Sequence, residues 1–172
     1  MAGPAAPSLK ARALQLLAQR EHSAAELRRK LLDHALDKLG AAAPATEPGR
    51  RAHSPGADAE AEVDALLAWL QQHGHLSDAR FVESRLRARA PRYGNLRLRS
   101  ELARHGVSPS PEEAQALAAS EFARAHDVWE RKFGAAPADA AGRARQMRFL
   151  AGRGFSPDVI RRLLRGAGDD GD

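Results

Sequence analysis

The sequence contains no cysteine among its 172 residues, and only 5% of the residues are aromatic. Without cysteine the chain can form neither a disulfide framework nor a thiolate metal site. No apolar run approaches the roughly 20 residues that a membrane-spanning helix needs. The first stretch, "MAGPAAPSLKARAL", also lacks the apolar centre of a signal peptide. We therefore expect a soluble cytoplasmic protein without a membrane segment.

Alanine, leucine and arginine, which favour helices, dominate the composition, so the chain is expected to be all-α. Its net charge of +5 is unevenly spread. Residues 76–106 carry eight basic and three acidic side chains, and residues 141–166 carry seven basic and one acidic. Between them, residues 107–140 carry three basic and six acidic side chains. This alternation predicts a surface that meets polyanions at intervals.

Glycine, an apolar residue and serine come together at three junctions, "HGHLSDAR", "HGVSPSPE" and "RGFSPDVI". Glycine closes helices because it enters the left-handed conformation without a Cβ penalty, and serine opens them by accepting hydrogen bonds from free N–H groups. Ser110, followed by Pro111 and Glu113, predicts a capping box. Between the junctions, apolar residues recur at helical spacing, as in the stripe Phe122, Ala125, Trp129 and Phe133, which we expect to pack against neighbouring helices.

About nine helices result, and they group in threes. The predicted fold is a tandem array of three three-helix units, elongated and curved, because units this small bury their apolar faces against one another. The predicted ranges are a flexible tail at 1–7, unit one at 8–75 with a flexible insertion at 40–60, unit two at 76–119, unit three at 120–166 and an acidic tail at 167–172.

No convergent catalytic site is visible, so we expect neither an enzyme nor a cofactor. "GRGFSPD" lacks the strand and the lysine of a phosphate-binding loop. His73 and His75 flank a helix-ending glycine without further ligands at metal-binding spacing. Glu112 and Glu113 stand at a helix N-terminus, where the helix dipole favours negative charge. A metal-dependent hydrolase built on the histidines is therefore the weakest of the functional hypotheses.

The arginines carry the functional signal. Their planar fork suits phosphate and carboxylate groups, whereas a helical surface that simply prefers arginine over lysine is the structural alternative. Arg85, Arg89 and Arg92 can cluster near a turn with Arg97 from the next helix. The candidate binding residues are Arg85, Arg89, Arg92, Tyr93, Arg97, Arg145, Arg148 and Arg153.

Two stretches, "GHLSDARFVESRLRARAPRYGNLRLRSELARHGVS" and "RARQMRFLAGRGFSPDVIRRLL", resemble the RecX family, regulatory proteins that modulate the RecA recombinase. The resemblance covers roughly residues 9–34 and 62–165. Two features depart from the family pattern. The stretch 40–60 lies outside the resemblance, and Met147 stands where related chains often carry an aromatic residue.

The resemblance implies a chain of three-helix units that binds in the helical groove of the RecA filament on single-stranded DNA. It also implies inhibition of the recombinase, ATPase and co-protease activities, without enzymatic activity of the protein itself. We expect a monomer whose partner is the RecA filament, with single-stranded DNA as a candidate second contact. The alternative is a RecA-independent DNA-binding protein of the helix-turn-helix repressor type, although no recognition helix rich in Asn, Gln and Arg stands out.

Overall fold

The computed structural model of the chain describes residues 7–42 and 55–169, and all regular structure within these ranges is helical. This confirms the predicted all-α class. The helices are α1 (Leu9–Gln19), α2 (Ala24–Ala42), α3 (Pro55–Gln72), α4 (Asp78–Arg89), α5 (Asn95–Arg104), α6 (Pro111–Lys132), α7 (Ala140–Gly152) and α8 (Pro157–Asp169). No helix in these two ranges combines the length and apolarity needed to cross a membrane.

The glycine and serine junctions end and begin helices as predicted. Gly74, Gly106 and Gly154 have φ values of 71°, 71° and 80°, the left-handed conformation that closes a helix. The Ser110 side chain accepts a hydrogen bond from Glu113 N, and the Glu113 side chain accepts one from Ser110 N, which completes the capping box. The elongated, curved form of the array and the three predicted unit boundaries stay predictions.

The described residues form eight helices, whereas about nine were expected. The difference lies in α6, which runs unbroken for 22 residues from Pro111 to Lys132. The predicted units meet at residues 119 and 120, which implies a break in the helix there, but "ALAASEFARA" contains neither glycine nor proline, and alanine strongly favours helix continuation. The last helix predicted for unit two and the first predicted for unit three are therefore one helix.

The predicted insertion at 40–60 is helical at both ends. Helix α2 continues through Ala42, and α3 begins at Pro55, where proline suits a first turn. Residues 43–54, with Arg50 and Arg51, lie outside the described residues. At the other end of the chain α8 runs through Asp169, so the first part of the predicted C-terminal tail is helical as well. Residues 1–6 and 170–172 also lie outside the described residues.

The chain divides within α4 into two compact units, Met1–Phe81 and Val82–Asp172. The core of the first unit is built by α1, α2 and α3. Ala13, Leu27, Leu31, Val63 and Leu70 have no exposed surface. They come from three helices at helical spacing, so each helix contributes one apolar stripe to a shared core.

The core of the second unit is formed mainly by α6, α7 and α8. Ala125, Trp129, Leu150, Phe155 and Leu164 are all buried there. The Trp129 indole N–H, which would otherwise be buried without a partner, donates a 2.8 Å hydrogen bond to a side-chain oxygen of α7. The aromatic stripe of α6 thus packs against neighbouring helices, as predicted from its spacing.

Candidate partner-binding site

Two loops of the second unit meet backbone to backbone. Gly94, at the start of α5, donates from its N–H to Arg153 O at 2.9 Å, and Leu96 donates to Gly154 O at 3.0 Å. A Cβ on Gly94 would lie 2.2 Å from the Gly154 oxygen, and a Cβ on Gly154 would lie 2.4 Å from the Arg97 Cβ. Neither position has room for a side chain. This contact brings the two basic blocks of the sequence together.

Tyr93, in the loop between α4 and α5, is the centre of the cluster that results. The guanidinium carbons of Arg89 and Arg97 lie 4.3 Å and 4.2 Å from the Tyr93 ring centroid, and that of Arg153 lies 5.9 Å away. Cations within about 6 Å of an aromatic face are attracted by its negative potential. We call Arg89, Tyr93, Arg97, Glu101 and Arg153 the Tyr93 cluster.

Glu101 ties two of these arginines together. Arg89 donates to both carboxylate oxygens of Glu101, at 2.7 Å from Nη2 and 3.1 Å from Nε. Arg97 donates to the same carboxylate from Nε at 3.1 Å. The hydrogen bond from Arg89 outweighs partial burial and lowers the pKa of Glu101. Two arginines that sequence reasoning placed on an open binding surface are therefore already paired inside the protein.

The other predicted residues lie outside this cluster. Arg85, one turn earlier on α4, is half-buried with its Nη2 3.3 Å from His105 Nε2. Arg92 is exposed, and its carbonyl accepts a 3.2 Å hydrogen bond from Arg153 Nη1. Arg145 and Arg148 are exposed on α7, and their side chains make no hydrogen bond or ion pair with the described part of the chain. The structure thus brings Arg89, Tyr93, Arg97 and Arg153 together, but not the two α7 arginines.

A buried and a half-buried charged residue of α6, Glu121 and Arg124, hold the loops in place, and sequence reasoning missed both. The Glu121 carboxylate is 5% exposed. It accepts hydrogen bonds from two backbone N–H groups at helix starts, that of Asn95 in α5 at 2.9 Å and that of Ser156 before α8 at 3.2 Å. Arg124 donates to Tyr93 O and to Asn95 Oδ1, both at 2.6 Å. Burial lowers the pKa of Arg124. A signal was available, because Glu121 lies four residues after Leu117 on the apolar side of α6.

A groove of about 370 Å³ opens beside the cluster, between α5 and the end of α7. Leu96, at its rim, has 54% of its surface exposed. Arg97 crosses part of the groove, with Nη1 3.4 Å from Gly152 O. The groove is lined by Leu96, Arg97, Ser100, Glu101, Arg104, Ala151, Gly152 and Gly154. The combination of guanidinium groups and an exposed leucine suits an acidic partner that also carries an apolar side chain.

The two histidines of the first junction stack on tryptophan. The His73 and His75 rings lie 4.2 Å and 5.6 Å from the Trp69 ring, and Lys10 Nζ lies 3.7 Å from the Trp69 centroid. Within the described ranges, no group of three or more His, Asp or Glu residues is placed to hold a metal ion. Besides its ring contact, His73 places Nδ1 2.8 Å from Trp69 O.

Family models match two parts of the chain. The model described as "RecX, second three-helix domain" matches residues 77–110, and "RecX, third three-helix domain" matches residues 119–164. Both matches fall largely on the second unit, which contains the Tyr93 cluster.

Curated proteins named "Regulatory protein RecX" match over nearly the full chain. That of Ralstonia nicotianae is 47% identical over 178 residues, which covers 100% of this chain and 98% of the relative. That of Leptothrix cholodnii is 45% identical and covers 92% and 88%, and that of Pseudomonas putida is 43% identical and covers 90% and 87%. The crystal structure of RecX from Lactobacillus salivarius matches with a TM-score of 0.61 at 15% identity, over 93% of this chain and 94% of that one, which supports the fold alone.

Proposed function

Because the chain belongs to the RecX family of regulatory proteins, we propose that it binds the filament that the RecA recombinase forms on single-stranded DNA and inhibits it. The inhibited activities are recombination, ATP hydrolysis and co-protease function. The observation that carries this proposal is 47% identity to a protein named regulatory protein RecX over the whole chain. Binding takes place in the helical groove of the filament, and the protein acts there without an enzymatic step of its own.

The second unit supports this role with a positive surface held on a rigid frame. The Tyr93 cluster places Arg89, Arg97 and Arg153 around one ring, and Arg92 is exposed beside it. Backbone hydrogen bonds between the two loops fix this arrangement before any partner arrives. Preorganised charges lose less entropy on binding. The proposed binding residues remain Arg85, Arg89, Arg92, Tyr93, Arg97, Arg145, Arg148 and Arg153.

The proposal also covers the oligomeric state, a contact with DNA and the location of the protein. A monomer with basic patches at intervals can touch successive RecA protomers, and several weak contacts in one chain raise the overall affinity. Single-stranded DNA inside the filament is a second candidate contact through the exposed α7 arginines Arg145 and Arg148. RecA acts on DNA in the cytoplasm, so we place the protein there as well.

The test is the rate of ATP hydrolysis by RecA on single-stranded DNA, measured with substoichiometric amounts of this protein. We expect the rate to fall, since one bound molecule affects several protomers of a filament. An unchanged rate at equimolar protein would show that the proposed function is wrong. Tight, sequence-selective binding to duplex DNA without RecA would instead support the repressor alternative, and a salt titration measures it.

A charge-reversed variant tests the assigned surface. We expect Arg89→Glu, Arg92→Glu and Arg97→Glu together to require about tenfold more protein for the same inhibition, because like charges then face an acidic partner. The control reverses three exposed cations elsewhere, Arg12→Glu, Arg29→Glu and Arg131→Glu, with the same change of net charge. Circular dichroism verifies that both variants are folded. Equal inhibition by the two variants would show that the assignment is wrong.

A further inference from the structure

Glu101 occupies an unusual position in the basic surface. It is the sole acidic residue between positions 84 and 111, a stretch with seven arginines. Its carboxylate accepts hydrogen bonds from Arg89 and Arg97, the two arginines that lie closest to the Tyr93 ring. One carboxylate therefore holds both guanidinium groups at the centre of the proposed binding surface.

This ion-pair cluster is accessible to a competing ligand. The side chains of Arg89, Arg97 and Glu101 are 31%, 42% and 24% exposed. Ion pairs that solvent reaches contribute little net free energy, because water compensates for their separation. An incoming anion can therefore replace Glu101 without a large rearrangement of the fold.

The groove described above leads directly to Glu101. Its lining includes Arg97, Glu101 and Arg104, and Arg104 makes no side-chain hydrogen bond or ion pair with the described residues. Positive charge exceeds negative charge along the groove. Leu96 offers an exposed apolar contact at its rim, and Ala151 lies in its wall. The groove is thus complementary to a segment with at least one carboxylate and one apolar side chain.

We propose that the groove between α5 and α7 binds an acidic segment of the RecA protein, and that a carboxylate of this segment replaces Glu101 on Arg97 and Arg89. Glu101 is then an internal competitor that limits the affinity of the protein for its partner. The inference rests on the proposed function, because it assumes that the partner is RecA.

A protein segment fits this groove better than a DNA strand does. The Arg89 guanidinium holds both oxygens of the Glu101 carboxylate, and since such a fork also suits phosphate, the apolar rim of the groove decides between the two. The exposed Leu96 side chain gives an apolar residue of a peptide a place to pack, whereas a phosphate backbone gains nothing from it. A DNA strand at this position is the competing outcome of the test.

The experiment compares Glu101→Gln with Glu83→Gln. Glu83 pairs with Arg87 on the exposed side of α4, so its replacement changes the net charge equally but leaves the groove intact. The binding of each fluorescently labelled full-length variant is measured by anisotropy, once with RecA and once with an oligo(dT) strand without RecA. We expect Glu101→Gln to bind RecA about fivefold more tightly than Glu83→Gln, with equal affinities of the two variants for oligo(dT).

A second variant supports the same test if Glu101→Gln is less folded by circular dichroism. Leu96→Asp changes an exposed side chain, so it retains the fold, and we expect it to weaken RecA binding. The control Leu36→Asp, on the exposed side of α2, should leave RecA binding unchanged. Equal RecA affinities of Glu101→Gln and Glu83→Gln, or a gain in affinity for oligo(dT) alone, would overturn the inference. Failure of the unmodified protein to bind or inhibit RecA would instead overturn the proposed function.

Discussion

His22 is a buried histidine, with 1% of its surface exposed, in the short link between α1 and α2. Its Nδ1 lies 3.0 Å from Arg20 O, and since a carbonyl can only accept, Nδ1 carries the proton. Its Nε2 then accepts from Lys30 Nζ at 3.3 Å. Burial, opposed by the hydrogen bond to Arg20 O, lowers the pKa of His22 below its usual 6.5. The imidazole is therefore neutral in the folded protein at neutral pH.

We predict that this histidine makes stability depend on pH near neutrality. As the pH falls through 6.5, the unfolded chain takes up a proton at His22 that the folded chain resists, so the free energy of unfolding decreases. Urea denaturation at about pH 7.5 and about pH 5.5 measures the loss. His22→Gln, which cannot titrate, should show a smaller loss. Equal losses would show that His22 titrates alike in both states.

Glu26 adds a second pH dependence of stability, at a much lower pH than that of His22. The buried Glu26 carboxylate is desolvated, but its hydrogen bond with Arg20 and the positive charges nearby lower its pKa to about 2. Its stabilising contribution is present above the unfolded pKa of 4.5 and is lost as the pH falls toward 2. It stays constant between pH 7.5 and pH 5.5, so it does not obscure the titration of His22.

At the scale of the elements, the contact between Gly94 and Gly154 decides where the arginines lie. We predict that Gly94→Ala lowers the free energy of unfolding by about 1 to 3 kcal/mol, because the added methyl would lie 2.2 Å from backbone atoms that must move. Gly152→Ala is the matched control, since a Cβ there meets nothing within 4 Å. Alanine in that helix should be neutral or stabilising. Thermal denaturation followed by circular dichroism measures both. Equal stability of the two variants would contradict the close contact.

Sequence reasoning predicted helix ends better than it predicted contacts. The glycines at 74, 106 and 154 and the cap at Ser110 were predictable, because these signals act within one helical turn. The unbroken α6 was missed because its predicted break came from grouping the helices in threes rather than from a local stop signal. The clustering of arginines around Tyr93 was predictable in part from spacing. Their pairing with Glu101 was not, because it depends on how α4 and α5 pack together.

At the scale of the whole molecule, α2 and α3 share one core although residues 43–54 separate them in the sequence. Leu27 and Leu31 of α2 and Val63 and Leu70 of α3 belong to the same buried cluster. Arg28 of α2 also pairs with Asp64 of α3, through Nε at 2.6 Å. Helices α2 and α3 are therefore held together by side-chain contacts as well as by the residues that connect them.

We predict that limited trypsin treatment cuts first after Arg50 or Arg51 and that the two fragments stay together. The composition of the interval predicts a loop, and proteases prefer such sites to helices. The shared core of α2 and α3 should hold the fragments in one species during size-exclusion chromatography. Mass spectrometry identifies the cut. Early cleavage within α4 or α5 would contradict the prediction, since both helices are rich in arginine but ordered.

The junction at Gly94 and Gly154 has a consequence for the evolution and redesign of such proteins. Main-chain atoms of two glycine-containing loops make the crossing, and the α6 side chains Glu121 and Arg124 support it. Positions 89, 92, 96 and 97 can therefore vary while the scaffold stays the same. A library randomised there, with both glycines retained, would yield chains of one architecture with diverse ligand preferences.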